Sequence, residues 1–174
     1  KVWVGRVEHG QDIHTAIESY CAEHKIETAW VQGLGALSKA TLAYYDQVKH
    51  EYFAKDFEGE YEVLSCTGNV SLKDGKPVGH LHMTLSDTNF DCIGGHLMSG
   101  SVAVFAFEFA LFGMDGSDPL TRSVDEVTGL PLWASCQIEE TAEEKQEKHH
   151  KGEKHSHKSH SKQADDKTPE DDGE

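Results

Sequence analysis

Apolar residues end abruptly near residue 140, and that break decides how much of the chain can fold. Residues 141–174 contain only Ala142 and Ala164 of the apolar types, and the rest is a low-complexity mixture rich in Lys, His, Glu, Asp and Ser. Such a segment cannot bury enough apolar surface to offset its chain entropy, so it is expected to be disordered. The whole chain is 37% apolar, which leaves residues 1–140 at about 44%, enough for one packed core. The expected organisation is one domain over residues 1–140 and a disordered His/Lys/Glu-rich tail over 141–174, meeting near Glu139–Glu140.

The same boundary sorts the charge. The chain has 16 Lys+Arg against 31 Asp+Glu, a net of −15. The tail holds 7 Lys and 10 acidic residues, so the domain keeps 9 cations against 21 carboxylates, a net of −12. A field of that sign opposes direct binding to DNA, RNA or anionic lipid, which call for clustered cations. No run of 18 apolar residues is present, so no membrane span is expected, and no secretory leader is legible. Cys21, Cys66, Cys92 and Cys136 form no CxxC pair. They read as buried, reduced thiols of a cytoplasmic protein.

Val2, Trp3, Val4 and Val7 predict a short opening strand, followed by a helix over Asp12 to Lys25. Its Ile13, Ala16, Ile17, Tyr20, Cys21 and His24 recur at helical spacing, and Asp12 is placed to cap it. From Ala29 the pattern is that of strands: 29–37 with glycines at 33 and 35, then 40–45, 50–57 and 61–72. Glycines inside a strand mark a bulge or a close backbone approach. Lys73-Asp74-Gly75-Lys76 is a hairpin turn signal, with a returning strand over 78–86. Strands at 93–97, 101–112 and 130–138 complete the domain. One helix among seven or more strands predicts an α+β fold with a mainly antiparallel sheet.

The chemistry-bearing segment is Gly79-His80-Leu81-His82, followed by Gly94-Gly95-His96. Residues two apart on a strand point the same way, so His80 and His82 project together. The glycines before His96 allow backbone to come close. Three imidazoles around one point suit Zn²⁺ or another divalent transition metal, with a fourth position left for water or a ligand. The same pattern also fits two surface histidines and a third packed elsewhere. Glu108 interrupts the apolar run Phe105-Ala106-Phe107-Glu108-Phe109. An ionised carboxylate there needs a metal or reacting group, a salt bridge with Arg6 or Arg122, or a solvated face. Asn69 reads as a turn residue or as a polar group near the site. In the tail, His149, His150, His155, His157 and His160 are irregularly spaced, which gives loose metal affinity without a defined geometry.

The ordered series Ala29-Trp30-Val31-Gln32-Gly33-Leu34-Gly35-Ala36-Leu37, Leu64-Ser65-Cys66-Thr67-Gly68-Asn69-Val70-Ser71-Leu72, Gly79-His80-Leu81-His82 and Gly94-Gly95-His96-Leu97 with Gly100 resembles the PPC (plants and prokaryotes conserved) domain. The resemblance continues through Arg122, Asp125 and Thr128-Gly129-Leu130 and covers about residues 1–139. It is closer to the prokaryotic branch. Plant members replace the Gly-Gly-His histidine and carry an Arg-Gly-Arg-Pro AT-hook, which this chain lacks. The resemblance implies a compact α+β domain, assembly as a homotrimer, and a metal site at His80, His82 and His96. It also brings a predicted DNA-binding label, which the domain's charge opposes.

Three functions follow as expectations. The first is a metal-binding, homotrimeric regulatory or binding module, reaching DNA through partners if at all. The second is a zinc-dependent hydrolase or lyase acting on a small molecule, with Glu108 as the proton carrier. The third is metal storage or sensing through the His-rich tail. No P-loop, Rossmann fingerprint or nucleophile elbow is present.

Overall fold

The computed structural model describes residues 1–114 and 118–134. The expected domain end near Glu139–Glu140, Cys136, the far part of the 130–138 strand and the tail with its five histidines lie outside the described residues. Residues Lys1–Cys136 form one unit.

The opening strand β1 (Val2–Glu8) leads to α1 (Ile13–His24). Asp12 caps this helix: Oδ1 accepts the Thr15 N–H at 2.8 Å, while Oδ2 accepts the N–H groups of Gly100 at 2.6 Å and Ser101 at 3.0 Å. Burial works against the charged Asp12, but these bonds outweigh it and hold its pKa below the usual carboxylate value. One side chain thus ties the helix start to the loop before β6. The helix ends at Lys25 in the left-handed region, where the Ile26 N–H bonds the Cys21 carbonyl at 2.8 Å. Ile13, Ile17 and Cys21 are its buried stripe.

The five further strands of the main sheet and the two of a small hairpin follow as β2 (Ala29–Asp46), β3 (Glu51–Lys73), β4 (Lys76–Ser86), β5 (Cys92–Leu97), β6 (Val102–Gly113), β7 (Arg122–Val124) and β8 (Pro131–Trp133). The main sheet runs β1-β6-β2-β3-β4-β5, all neighbours antiparallel, and β7 pairs with β8 separately. Strand β5 also pairs back onto β2, through Leu42↔Leu97 and Ala43↔His96. That contact closes β2-β3-β4-β5 into a barrel, which removes the open edge of β5. Val31, Leu37, Leu81, Leu85, Leu97, Phe107 and Leu111 are fully buried in its core with the helix stripe.

The α+β, mainly antiparallel expectation holds, with corrections in the long strands. Segments 29–37 and 40–45 are one 18-residue strand, and 50–57 and 61–72 are one of 23 residues. Register shifts between Gly33 and Gly35 and between Leu37 and Lys39 break the alternation that would have shown β2 as continuous. The hairpin is as read: Asp74 and Gly75 both take positive φ, 52° and 74°, the pair of angles that a two-residue type I′ turn requires. Strand β7 was not anticipated; three residues carry no periodic signal. The cysteine expectation is corrected at Cys92, which is exposed, whereas Cys21 and Cys66 are buried, free thiols pushed up to about 12, mainly by burial.

Candidate metal centre

Alternation along β4 sends Leu81 and Met83 into the core and His80 and His82 outward. His82 lies opposite His96 of β5, and His96 lies opposite Ala43 of β2. The third histidine therefore sits at the seam that closes the barrel. Gly95 allows the close approach at that seam, and Gly94 the one to β4. A Cβ on Gly95 would lie 3.0 Å from the Ala43 carbonyl oxygen, and one on Gly94 would lie 2.9 Å from that of Met83.

The result is a cluster. One ring nitrogen from each of His80, His82 and His96 lies within 4.8 Å of the other two. The Nε2 atoms of His80 and His82 are 3.3 Å apart. Two nitrogens bound tetrahedrally at the usual Zn–N length of ~2.0–2.1 Å would be separated by about 3.3 Å. The donor set therefore fits zinc in kind and, for this pair, in spacing. Burial, with lesser contributions from neighbouring cationic groups, lowers the pKa of His80 and brings that of His96 down to about 4. Near neutral pH both rings then keep the lone pair that a metal ligand needs.

Two groups of contacts position the cluster. Helix α1 grips β4 just before His80: Glu18 Oε1 accepts the Gly79 N–H at 2.9 Å, and His14 Nε2 lies 3.3 Å from the Gly79 carbonyl. On the other side, β7 brings up Arg122. Its Nε donates to Ser71 Oγ at 2.7 Å, and its terminal nitrogens donate to Asn69 Oδ1 at 2.6 Å and the Pro131 carbonyl at 2.8 Å. Trp133 Nε1 donates to the same Ser71 oxygen at 3.2 Å. Asn69 is thus no turn residue: it is a buried strand residue opposite His80 in the register. Tyr52 stacks near His96, with ring centres 5.1 Å apart, and Tyr45 packs on Tyr52 and donates its hydroxyl to the Thr128 carbonyl.

These groups surround a pocket of about 910 Å³ lined by the three histidines, His14, Tyr45, Tyr52 and Arg122, with Val78, Leu130 and Pro131 among its apolar walls. Glu108 does not line it. It sits on the solvent side of β6 between core-facing Phe107 and Phe109, and it borders a separate hollow with Arg6, Leu34 and Leu64. Arg6 lies opposite Glu108 but pairs with Glu8 at 2.7 Å, and Arg122 makes its bonds in the histidine pocket. Of the readings open for Glu108, the solvated face is the one observed. No local pattern marks Arg122, Asn69 and Ser71 as acting together; the one hint is the polar pair at 69 and 71, which are two apart and so share a strand face.

Residues 1–114 match the profile of the Plants and Prokaryotes Conserved (PCC) domain. A metal-containing protein from Archaeoglobus fulgidus is 38% identical with a TM-score of 0.72, over 78% of this chain and 94% of that one. A plant- and prokaryote-conserved protein from Pyrococcus horikoshii is 33% identical with a TM-score of 0.72, over 79% and 94%. A Bacteroides thetaiotaomicron protein provisionally named as DNA-binding is 25% identical with a TM-score of 0.71, over 76% and 90%. The chain also matches, at 27% identity over 146 residues, the bifunctional protein GlmU of a Synechococcus strain, but it spans only 22% of that protein's length.

Proposed function

The chain belongs to the Plants and Prokaryotes Conserved domain family, and we propose that it is a homotrimeric metal-binding module in which His80, His82 and His96 hold a divalent transition metal, zinc. The observation that carries this reading is the convergence of three imidazole nitrogens within 4.8 Å beside an open pocket. The metal-containing relative from Archaeoglobus supports it. Bound zinc would supply a Lewis acid with one open position facing the pocket. The chain's own residues fix the rings: α1 through Gly79, the Gly94-Gly95 seam through His96, and Arg122 through Asn69 opposite His80. A chelator-competed zinc titration of the metal-free full chain tests this. One tight equivalent per chain is expected; weak, non-saturating uptake would contradict it.

The module reading is preferred to a hydrolase or lyase because no carboxylate lines the pocket among the described residues, and Glu108 borders another hollow. It is preferred to a direct DNA grip because the domain's 9 cations face 21 carboxylates. Several of those cations are also engaged: Arg6 with Glu8, Lys39 with Asp56, and Arg122 inside the pocket. Action on DNA would then pass through a partner. Free cysteines suit a reducing, cytoplasmic setting.

For the trimer, the support is a cluster of exposed apolar side chains on one sheet face. Val4, Leu34 and Leu64 are 76%, 58% and 55% exposed around one hollow on β1, β2 and β3, with Trp30 and Phe112 also exposed on the same sheet. Exposed apolar side chains gathered in this way, with Arg6 and Glu108 at their edge, suit an interface between copies of the chain. Leu34→Glu replaces an exposed apolar side chain with a second carboxylate opposite Glu108. Light scattering coupled to size exclusion is expected to give a trimer for the natural chain and a monomer for the variant. A natural chain that elutes as a monomer would contradict the assembly.

A further inference from the structure

The histidine pocket carries a charge that no carboxylate among the described residues answers. Arg122 is half-buried, and its three partners, Ser71 Oγ, Asn69 Oδ1 and the Pro131 carbonyl, are all neutral oxygens. No carboxylate pairs with it among the described residues. A guanidinium has five N–H hydrogens, so with three engaged each terminal nitrogen retains one. This is an unusual choice in a domain with a net charge of −12. Twenty-one carboxylates are available, yet none lines the pocket among the described residues. A desolvated cation left without an anion is costly, and an incoming anion would recover that cost.

We propose that this pocket is a binding site for a small organic carboxylate, with Arg122 holding the carboxylate and the apolar and tyrosine walls holding the body of the molecule. The proposal rests on the preceding reading of the pocket, whose metal would meet a second oxygen of the same acid. Arg122 is the single permanent cation among the described lining residues, and the walls around it suit the body of an organic acid better than a bare phosphate. Val78, Leu130 and Pro131 offer apolar contact, and Tyr45 and Tyr52 offer ring faces. The neutral bonds to Asn69 and Ser71 fix the guanidinium plane in advance, so little rotamer freedom is lost on binding.

The test uses salicylate, which carries a carboxylate beside a second oxygen on an aromatic body, and its neutral amide, salicylamide. Both are titrated by calorimetry into the full-length chain, zinc-loaded and metal-free, with inorganic phosphate as a third probe. Salicylate is expected to bind about tenfold or more tightly than salicylamide or phosphate. Arg122→Gln is expected to remove that preference in the zinc-loaded and the metal-free chain alike, and Arg122→Lys to retain part of it. Equal binding of acid and amide, tighter binding of phosphate, or no binding of salicylate up to about 10 mM would overturn the proposal. The acid–amide contrast on the natural chain decides the matter even if the Arg122 variants fold poorly. Preference for the acid by the metal-free chain, together with failed zinc uptake, would sink the metal reading and spare this one; the reverse pattern would do the opposite.

Discussion

His96→Ala is expected to weaken zinc binding by about 100-fold or more, the largest loss from any single change in the pocket. Loss of a residue that merely supports a ligand typically costs about 10–100-fold in metal affinity, and His96 is itself one of three proposed ligands. Its ring is also the one supplied by β5, so without it the two nitrogens of β4 have no partner across the strand. Those two share one strand face and lie 3.3 Å apart, which makes them a two-point clamp at best. His96→Ala should leave the fold intact, because the ring projects outward and the barrel seam is a backbone pairing of His96 and Leu97 that alanine can make as well. The measurement is a competition titration with a chelator of known affinity, with circular dichroism as the folding control. An affinity within about threefold of the natural chain would show that the three rings do not act as one site.

The second large effect lies in the core. Phe107 is fully buried, and its ring occupies the space where Gly33 lacks a side chain. Phe107→Ala removes the ring from that space and is expected to cost about 3–5 kcal/mol, lowering the thermal midpoint by about 10 °C or more. Gly33→Ala alone is also destabilising, because its Cβ would collide with the ring. Combined, the two changes relieve each other. Denaturant unfolding of the four chains is expected to show a coupling of about 1 kcal/mol or more, with Gly33→Ala milder in the Phe107→Ala background. Strict additivity would mean that the ring and the glycine are not packed as described.

These two sites also show what a reader of the sequence can and cannot see. Local signals were legible because their physics is local. The Asp12 cap, the Asp74-Gly75 turn and the same-side projection of His80 and His82 each need only a few consecutive residues. Gly33 announced a close approach but not its visitor, since Phe107 is 74 positions away. The same distance effect hid the Arg122–Asn69–Ser71 network, which links a three-residue strand to the middle of β3. For Glu108, alternation indicated that it faces away from Phe107 and Phe109. It could not say that this face lies over β1 and β2, away from the histidines' pocket. The long strands were cut in two because bulges shift the inside–outside pattern by one residue.

The central claim, that His80, His82 and His96 form one zinc site, is tested most directly by the metal content of the full-length chain beside a His80→Ala/His82→Ala/His96→Ala variant. Both keep the tail histidines, so any loose uptake there is common to the two. After dialysis against a weak chelator, elemental analysis is expected to find one equivalent of zinc more per chain in the natural protein than in the variant. Equal metal content in two folded proteins would contradict the account.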